Sequence, residues 1–192
     1  MSEFRAFSSI PRLFRECVVT EKIDGTNAVV FIDDDGVTVK AGSRSRWITP
    51  QDDNFGFARW VDEHRGDLLQ MGPGYHYGEW WGAGIQRRYG LSEKRFSLFN
   101  VGRWGEGGKD EASKPACCHV VPVLYRGGFD LEVILGIAAL LGHEGSKAAP
   151  GFMQPEGIVV WHEKAQALFK YTLDGDGHKH EADRKAKRER AA

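Results

Sequence analysis

The residues best suited to chemistry are a few lysines, glutamates and arginines set in short distinctive runs. Lys22 lies in Glu21-Lys22-Ile23-Asp24-Gly25-Thr26-Asn27, between a strand-like stretch and the next hairpin. A lysine in such a place is a nucleophile when desolvation or neighbouring cations keep part of it neutral; otherwise it is an exposed turn lysine. Gly25 would allow a close backbone approach to a phosphate. Downstream come Gly78-Glu79-Trp80-Trp81-Gly82-Ala83-Gly84-Ile85-Gln86, then Arg95-Phe96-Ser97-Leu98-Phe99-Asn100-Val101. Pro155-Glu156-Gly157-Ile158-Val159-Val160 and Leu168-Phe169-Lys170-Tyr171-Thr172 close the series. Arg44 and Arg46, in Gly42-Ser43-Arg44-Ser45-Arg46-Trp47, offer guanidinium forks that bind phosphate bidentately, or else mark a solvated strand end. Asp33-Asp34-Asp35-Gly36 could suggest a metal, but at a hairpin tip these are solvated turn residues.

These residues need a scaffold. A β-branched strand over 14–20 leads into the turn at 21–25. Strands over 27–32 and 37–41 flank an Asp-Gly turn, the clearest hairpin signal in the chain. Residues 55–70 have the apolar spacing of a helix interrupted at Gly66. Strands are expected over 75–81 and 95–101, a polar loop over 102–115, and a strand over 118–124. An amphipathic helix over 130–141 begins near Asp130 and stops at Gly142. The last two strands span 157–162 and 167–172, with Lys170 on the opposite face from Phe169 and Tyr171. Strands outnumber helices without regular alternation, which predicts an α+β fold with two mainly antiparallel sheets flanked by helices.

The 192 residues suggest one domain large enough to bury a core, at 1–177, with a charged tail at 178–192. Charge is balanced, with 26 Lys+Arg against 27 Asp+Glu, which argues against coating nucleic acid by bulk charge. The balance is uneven, however. The tail holds six Lys/Arg and three Asp/Glu, a net of +3, so residues 1–177 carry −4. Lacking large apolar side chains, the tail reads as a solvated or frayed helix. The longest mostly apolar run, 133–142, is far short of the roughly 20 residues that span a bilayer, so no membrane partner is expected. Three cysteines, two of them adjacent and none in a CxxC pair, give no disulfide framework or zinc ribbon and suggest a cytoplasmic location.

The ordered runs around Lys22, Glu79, Phe99, Glu156 and Lys170 resemble the motifs of the covalent nucleotidyltransferases. They are most similar to the RNA ligase family, and nearest to its type-2 members. The segment 78–86 is similar to the family's third motif, and Pro122-Val123-Leu124-Tyr125-Arg126-Gly127 to a Pro-x-Leu-x-Arg-Gly segment of the same relatives. The resemblance covers residues 14–175. It implies an ATP-grasp-like nucleotidyltransferase domain with a nucleotide cleft between two sheets. It also implies ATP-dependent joining of an RNA 5′-phosphate to a 3′-hydroxyl through a lysyl-AMP intermediate, with DNA strands possible substrates.

By resemblance, Lys22 is the nucleophile and Lys170 neutralises the α-phosphate. Glu156 belongs with a divalent cation, Mg²⁺ or Mn²⁺, which favours carboxylates, water and substrate phosphates. Glu79 accepts a hydrogen bond from the ribose, Phe99 stacks on adenine, and Asn27 has a phosphate or ribose role. Glu21 contacts the adenine edge or serves orientation alone. Arg44, and more weakly Arg46, receive the 5′-phosphate of the nucleic acid. One feature departs from the family pattern: its last motif has a second lysine two residues after the first, where this chain has Thr172. Lys179 or the tail is the candidate to substitute. Alternatives are a DNA ligase, a capping guanylyltransferase, or a catalytically weak module that binds nucleotides or RNA ends.

Overall fold

The computed structural model describes residues 6, 7 and 9–174; the basic segment 178–192, with Lys179, lies outside them. The chain runs β1 (Glu16–Lys22), β2 (Thr26–Ile32), β3 (Val39–Ser43), β4 (Trp47–Ile48), α1 (Phe57–Glu63), α2 (Arg65–Leu68) and β5 (Gly74–Gly82). It continues through β6 (Lys94–Leu98), α3 (Val101–Trp104), β7 (Cys118–Val120), β8 (Val123–Gly128), α4 (Leu131–Glu144), β9 (Gly157–His162) and β10 (Ala167–Thr172). One sheet has the order β10-β9-β1-β8 and is antiparallel throughout. The other has the order β4-β3-β2-β5-β6-β7 and is antiparallel except for the β6–β7 pair. The expected α+β architecture with two mainly antiparallel sheets is the one observed. Among the described residues, no helix is long and apolar enough to cross a membrane.

Strand alternation decides the layers. Cys17 and Val19 of β1, with Ile158 and Val160 of β9, face α4, whose Ile134, Ala138 and Leu141 recur at helical spacing and are buried against them. Burying each of Val19, Ile134, Leu141, Ile158 and Val160 contributes about 1.5–3 kcal/mol. Val18 faces the other way, into a second cluster with Ile23, Trp81, Tyr89 and Val121 that joins the two sheets. The back of the larger sheet is covered by α1, where Phe57, Ala58 and Val61 meet Val30, Trp80 and Phe96. The layers are thus helix, sheet, sheet, helix, with the end of β1 at the seam between the sheets.

Several expected boundaries move, each for a tertiary reason. The first strand runs to Lys22 rather than stopping at Thr20, because β9 pairs it through Lys22↔Gly157. The helix over 55–70 breaks at His64, not Gly66, which lies inside α2. The strand expected over 95–101 ends at Leu98, and the expected loop begins with a helical turn, α3, capped by the Asn100 side chain. The single strand expected over 118–124 is two, one in each sheet, with Val121 and Pro122 crossing between them. Helix α4 passes through Gly142 and stops at Gly145, whose φ of 86° and close Phe152 carbonyl exclude a side chain.

Candidate active site

Lys22 ends a central strand, and its Nζ donates to Glu156 Oε2 at 2.5 Å. Glu156 lies just before β9 and is nine-tenths buried. The nearby sequence offers it only Lys164 as a counter-charge; the fold supplies Lys22 itself, 134 residues away. Across the seam, Glu79 of β5 accepts from the Gly25 N–H at 3.1 Å and from Asn27 Nδ2 at 3.2 Å. Burial pushes the Glu79 carboxyl up to about 7, with nearby Lys22 pulling the other way and Glu156 and Asp24 adding to the rise. The structure therefore brings Lys22, Glu156, Glu79 and Asn27 together at the junction of the sheets.

The turn joining β1 to β2 is held on all sides. The Asp24 N–H donates to the Tyr89 hydroxyl at 2.7 Å, and the Asp24 carboxylate accepts from Arg87 Nε at 3.1 Å. Gly25 is required here for packing as well: a Cβ would fall 2.5 Å from the Trp80 carbonyl and 2.7 Å from Trp81 Cβ. Arg87 reaches further, donating to the Gln154 carbonyl at 3.1 Å and pairing with Asp174. One guanidinium thus ties the Lys22 turn to the approach to Glu156 and to the end of the Lys170 strand. Arg87 and Tyr89 were not anticipated; the signal available was their position directly after the Gly78–Gln86 run.

Glu21 is fully buried on the face of β1 opposite Lys22. One carboxylate oxygen accepts from the Ser146 hydroxyl at 2.6 Å, the other from the Lys147 and Ala148 N–H groups at 2.8 and 2.9 Å. These contacts fix the loop after α4. Phe99 lies just past β6, its N–H on the Tyr77 carbonyl and its ring 41% exposed on the lip of the larger sheet. Lys170 is exposed and shares the face of Lys22, since Lys170 pairs with Val159 and Val159 with Thr20, two residues before Lys22. Thr172 lies across Gly157 from Lys22. Arg44 is exposed and has no hydrogen bond or ion pair among the described residues, whereas Arg46 is committed to Asp52.

The family model for RNA ligase matches residues 15–172. The chain belongs to the RNA ligase family. No curated protein matches it by sequence. Among solved structures, a ligand-free mutant of Naegleria gruberi RNA ligase superposes with a TM-score of 0.61 at 21% identity, covering 83% of this chain and 50% of that one. A mutant of that ligase with AMP and Mn gives 0.62 at 20% identity, and one with ATP and Mn gives 0.59 at 20%; each covers 83% of this chain and 50% of the other. At these identities the likeness is one of fold, and the chain spans about half the length of those ligases. Within this RNA ligase-family fold, Lys22 and Glu156 from one sheet and Glu79 and Asn27 from the other lie at one seam.

No group of three or more His, Cys, Asp or Glu residues forms a ready-made metal cage among the described residues. A lone carboxylate such as Glu156 suits instead an ion held by one protein ligand together with substrate phosphates, as Mg²⁺ commonly is.

Proposed function

We propose that this chain is the adenylyltransferase unit of an ATP-dependent RNA ligase, working through a lysyl-AMP intermediate. The observation that carries the reading is the convergence of Lys22 and Glu156 from one sheet on Glu79 and Asn27 from the other, in a chain of the RNA ligase family. Lys22 Nζ, freed of its extra proton and of Glu156, attacks the α-phosphorus of ATP. The bond to the bridging oxygen breaks and pyrophosphate leaves, so that AMP remains on nitrogen. A 5′-phosphate oxygen then displaces Lys22 from the AMP phosphorus, and a 3′-hydroxyl attacks the activated end and releases AMP.

The chain's own contribution is position and charge, which is what phosphoryl transfer demands. The Asp24–Tyr89–Arg87 contacts fix the turn that follows Lys22. Glu79, ionised above pH about 7, accepts from the ribose; Asn27 orients Glu79 and the sugar, and Phe99 offers a ring to the base. Glu21 serves orientation, by holding the 146–148 loop behind the nucleophile. Lys170 and Arg44 bring charge to the phosphates of nucleotide and strand. Glu156 would hold Mg²⁺ or Mn²⁺, which would offset charge on the phosphate oxygens. A cytoplasmic setting suits three unpaired cysteines and an ATP substrate.

The test is covalent labelling. Incubation with α-labelled ATP and Mg²⁺ should transfer label to the wild type and none to Lys22→Ala; an unlabelled wild type would sink the catalytic assignment. RNA binding without label would assign a binding module. GTP as the label donor would indicate capping, and sealing of nicked DNA in preference to RNA ends a DNA ligase.

A further inference from the structure

The larger sheet carries a face that the adenylylation chemistry leaves unused. Side chains alternate along strands, so Asn27, Val29 and Phe31 of β2 share a face with Glu79, Tyr77 and Tyr75 of β5. Asn27 and Glu79 belong to the site, and the same two strands then continue outward with aromatic rings. Phe31 lies 4.7 Å from Tyr75 between ring centres, and Tyr75 stacks on Tyr77 at 5.9 Å with only 10° between planes. Trp47 of β4 extends the group, 5.7 Å from Phe31 and stacked 6.3 Å from Tyr75. Trp47, Tyr75 and Tyr77 are 47%, 53% and 58% exposed, so three large rings present their surfaces to solvent in one patch.

The patch is constructed rather than incidental. A Cβ on Gly42 would fall 2.6 Å from Val29 Cγ1 and 3.2 Å from the Trp47 ring, so glycine is what lets the indole lie against the sheet. Cations frame it. Lys40 Nζ stands 5.9 Å from the Phe31 ring centre and 6.0 Å from that of Trp47. Arg44 follows Ser43, the partner of Ala28, and so emerges beside Asn27 at the site end.

Exposed rings with flanking cations are the chemistry of a single-stranded polynucleotide: bases stack on aromatic faces, whatever their identity, and phosphates seek the positive groups. We propose that this face binds a few unpaired nucleotides of the strand being joined, with bases on Trp47, Tyr75 and Tyr77 and phosphates toward Lys40 and Arg44. The occupant follows from continuity, because the rings begin one strand step from Asn27 and Glu79, and from the sign of the flanking charge. The four residue steps of β5 from Tyr75 to Glu79 span about 13 Å, room for a short run of nucleotides. The Asp33-Asp34-Asp35 hairpin tip beyond β2 closes the outer end with the charge that phosphates avoid. Naming the strand rests on the ligase reading; the presence of a stacking surface does not.

The probe is a 5′-phosphorylated, 3′-fluorescein oligouridylate, with binding followed by anisotropy at fixed salt and with self-labelling by ATP measured in parallel. Replacing both Trp47 and Tyr75 by alanine should weaken binding twentyfold or more and leave self-labelling unchanged. Replacing both by phenylalanine should stay within about threefold of wild type. Unchanged affinity in the alanine pair, or equal loss in the phenylalanine pair, would overturn the proposal. A wild-type dimer that the alanine pair dissolves without altering RNA affinity would also overturn it, and would assign the face to a second copy. A wild type that labels itself but binds RNA indifferently to these rings removes this inference alone. Ring-dependent RNA binding without self-labelling removes the ligase reading, and with it the naming of the strand, but leaves the stacking surface.

Discussion

The strands bearing the two principal lysines are held in very different ways. Lys22 ends β1, which is hydrogen-bonded on both sides, to β8 and β9. Behind it Glu21 gathers three donors, and beyond it Asp24 is gripped by Arg87 and Tyr89. Lys170 sits on the edge strand β10, where every side chain is at least partly exposed and only β9 is a strand neighbour. On the function proposed above, the difference separates the tasks. A nucleophile must meet one phosphorus atom in line, so its backbone is fixed in advance. A cation that neutralises phosphate oxygens acts over a broader range of positions and tolerates a looser mount.

The sharpest way to break this contrast is at Glu21. Glu21→Ala strands the buried Ser146 hydroxyl and the part-buried Lys147 and Ala148 N–H groups, and each buried unsatisfied donor costs about 1–3 kcal/mol, the part-buried ones at the low end. Denaturant unfolding should show a loss of about 3–5 kcal/mol. A loss below 1 kcal/mol would mean the clamp behind Lys22 is not structural.

The next effect is a pH slope on the other sheet. The Glu79 carboxyl is raised from 4.5 to about 7, chiefly by burial. Between those values the native chain holds a proton that the unfolded chain has released. Stability should therefore fall by about 3 kcal/mol as pH rises from 4.5 to 7, and level off above. His76 contributes the opposite slope: buried and lowered from 6.5, it withdraws stability as pH falls below that value. Comparing wild type with Glu79→Gln isolates the glutamate, because only the wild type should carry its slope. Parallel unfolding curves for the two would refute the assignment.

Arg87 connects the firm and loose regions, since it holds Asp24 at one end and Asp174, two residues past β10, at the other. Arg87→Ala should reduce the self-labelling rate about a hundredfold by letting the Lys22 turn drift, with Arg87→Lys restoring only part, because a single ammonium cannot make the three contacts. An unaltered rate would show that the turn is held by Tyr89 and packing alone.

How much of this was legible in the sequence divides along similar lines. The last two strands and the β2–β3 hairpin were readable because alternation and turn residues are local signals. So was the order of the motifs, and with it the family. The clamp was not, because its partners are joined only by folding: Glu21 with the 146–148 loop, Lys22 with Glu156, Asp24 with Arg87. Glycines misled for the same reason. Gly66 and Gly142 look like helix stops, yet the stop falls at Gly145, where a neighbouring carbonyl and a positive φ require it. Gly25, read as a point of close backbone approach to a phosphate, is also a packing necessity against β5, which the sequence did not signal.

Lys170 gives the smallest structural effect and thereby the cleanest test of the contrast. It is exposed on an edge strand and makes no hydrogen bond or ion pair among the described residues, so Lys170→Ala should change stability by no more than about 0.5 kcal/mol. Its labelling rate should nevertheless fall at least tenfold, because a cation facing the transferring phosphate stabilises charge that is absent from the resting protein. Adding salt should erode the wild-type advantage, as an exposed charge is screened over about 10 Å at 0.1 M. If Lys170→Ala labels at the wild-type rate, the cation belongs elsewhere on this face, and Thr172→Lys, two residues along the same strand and across Gly157 from Lys22, is the substitution that would locate it.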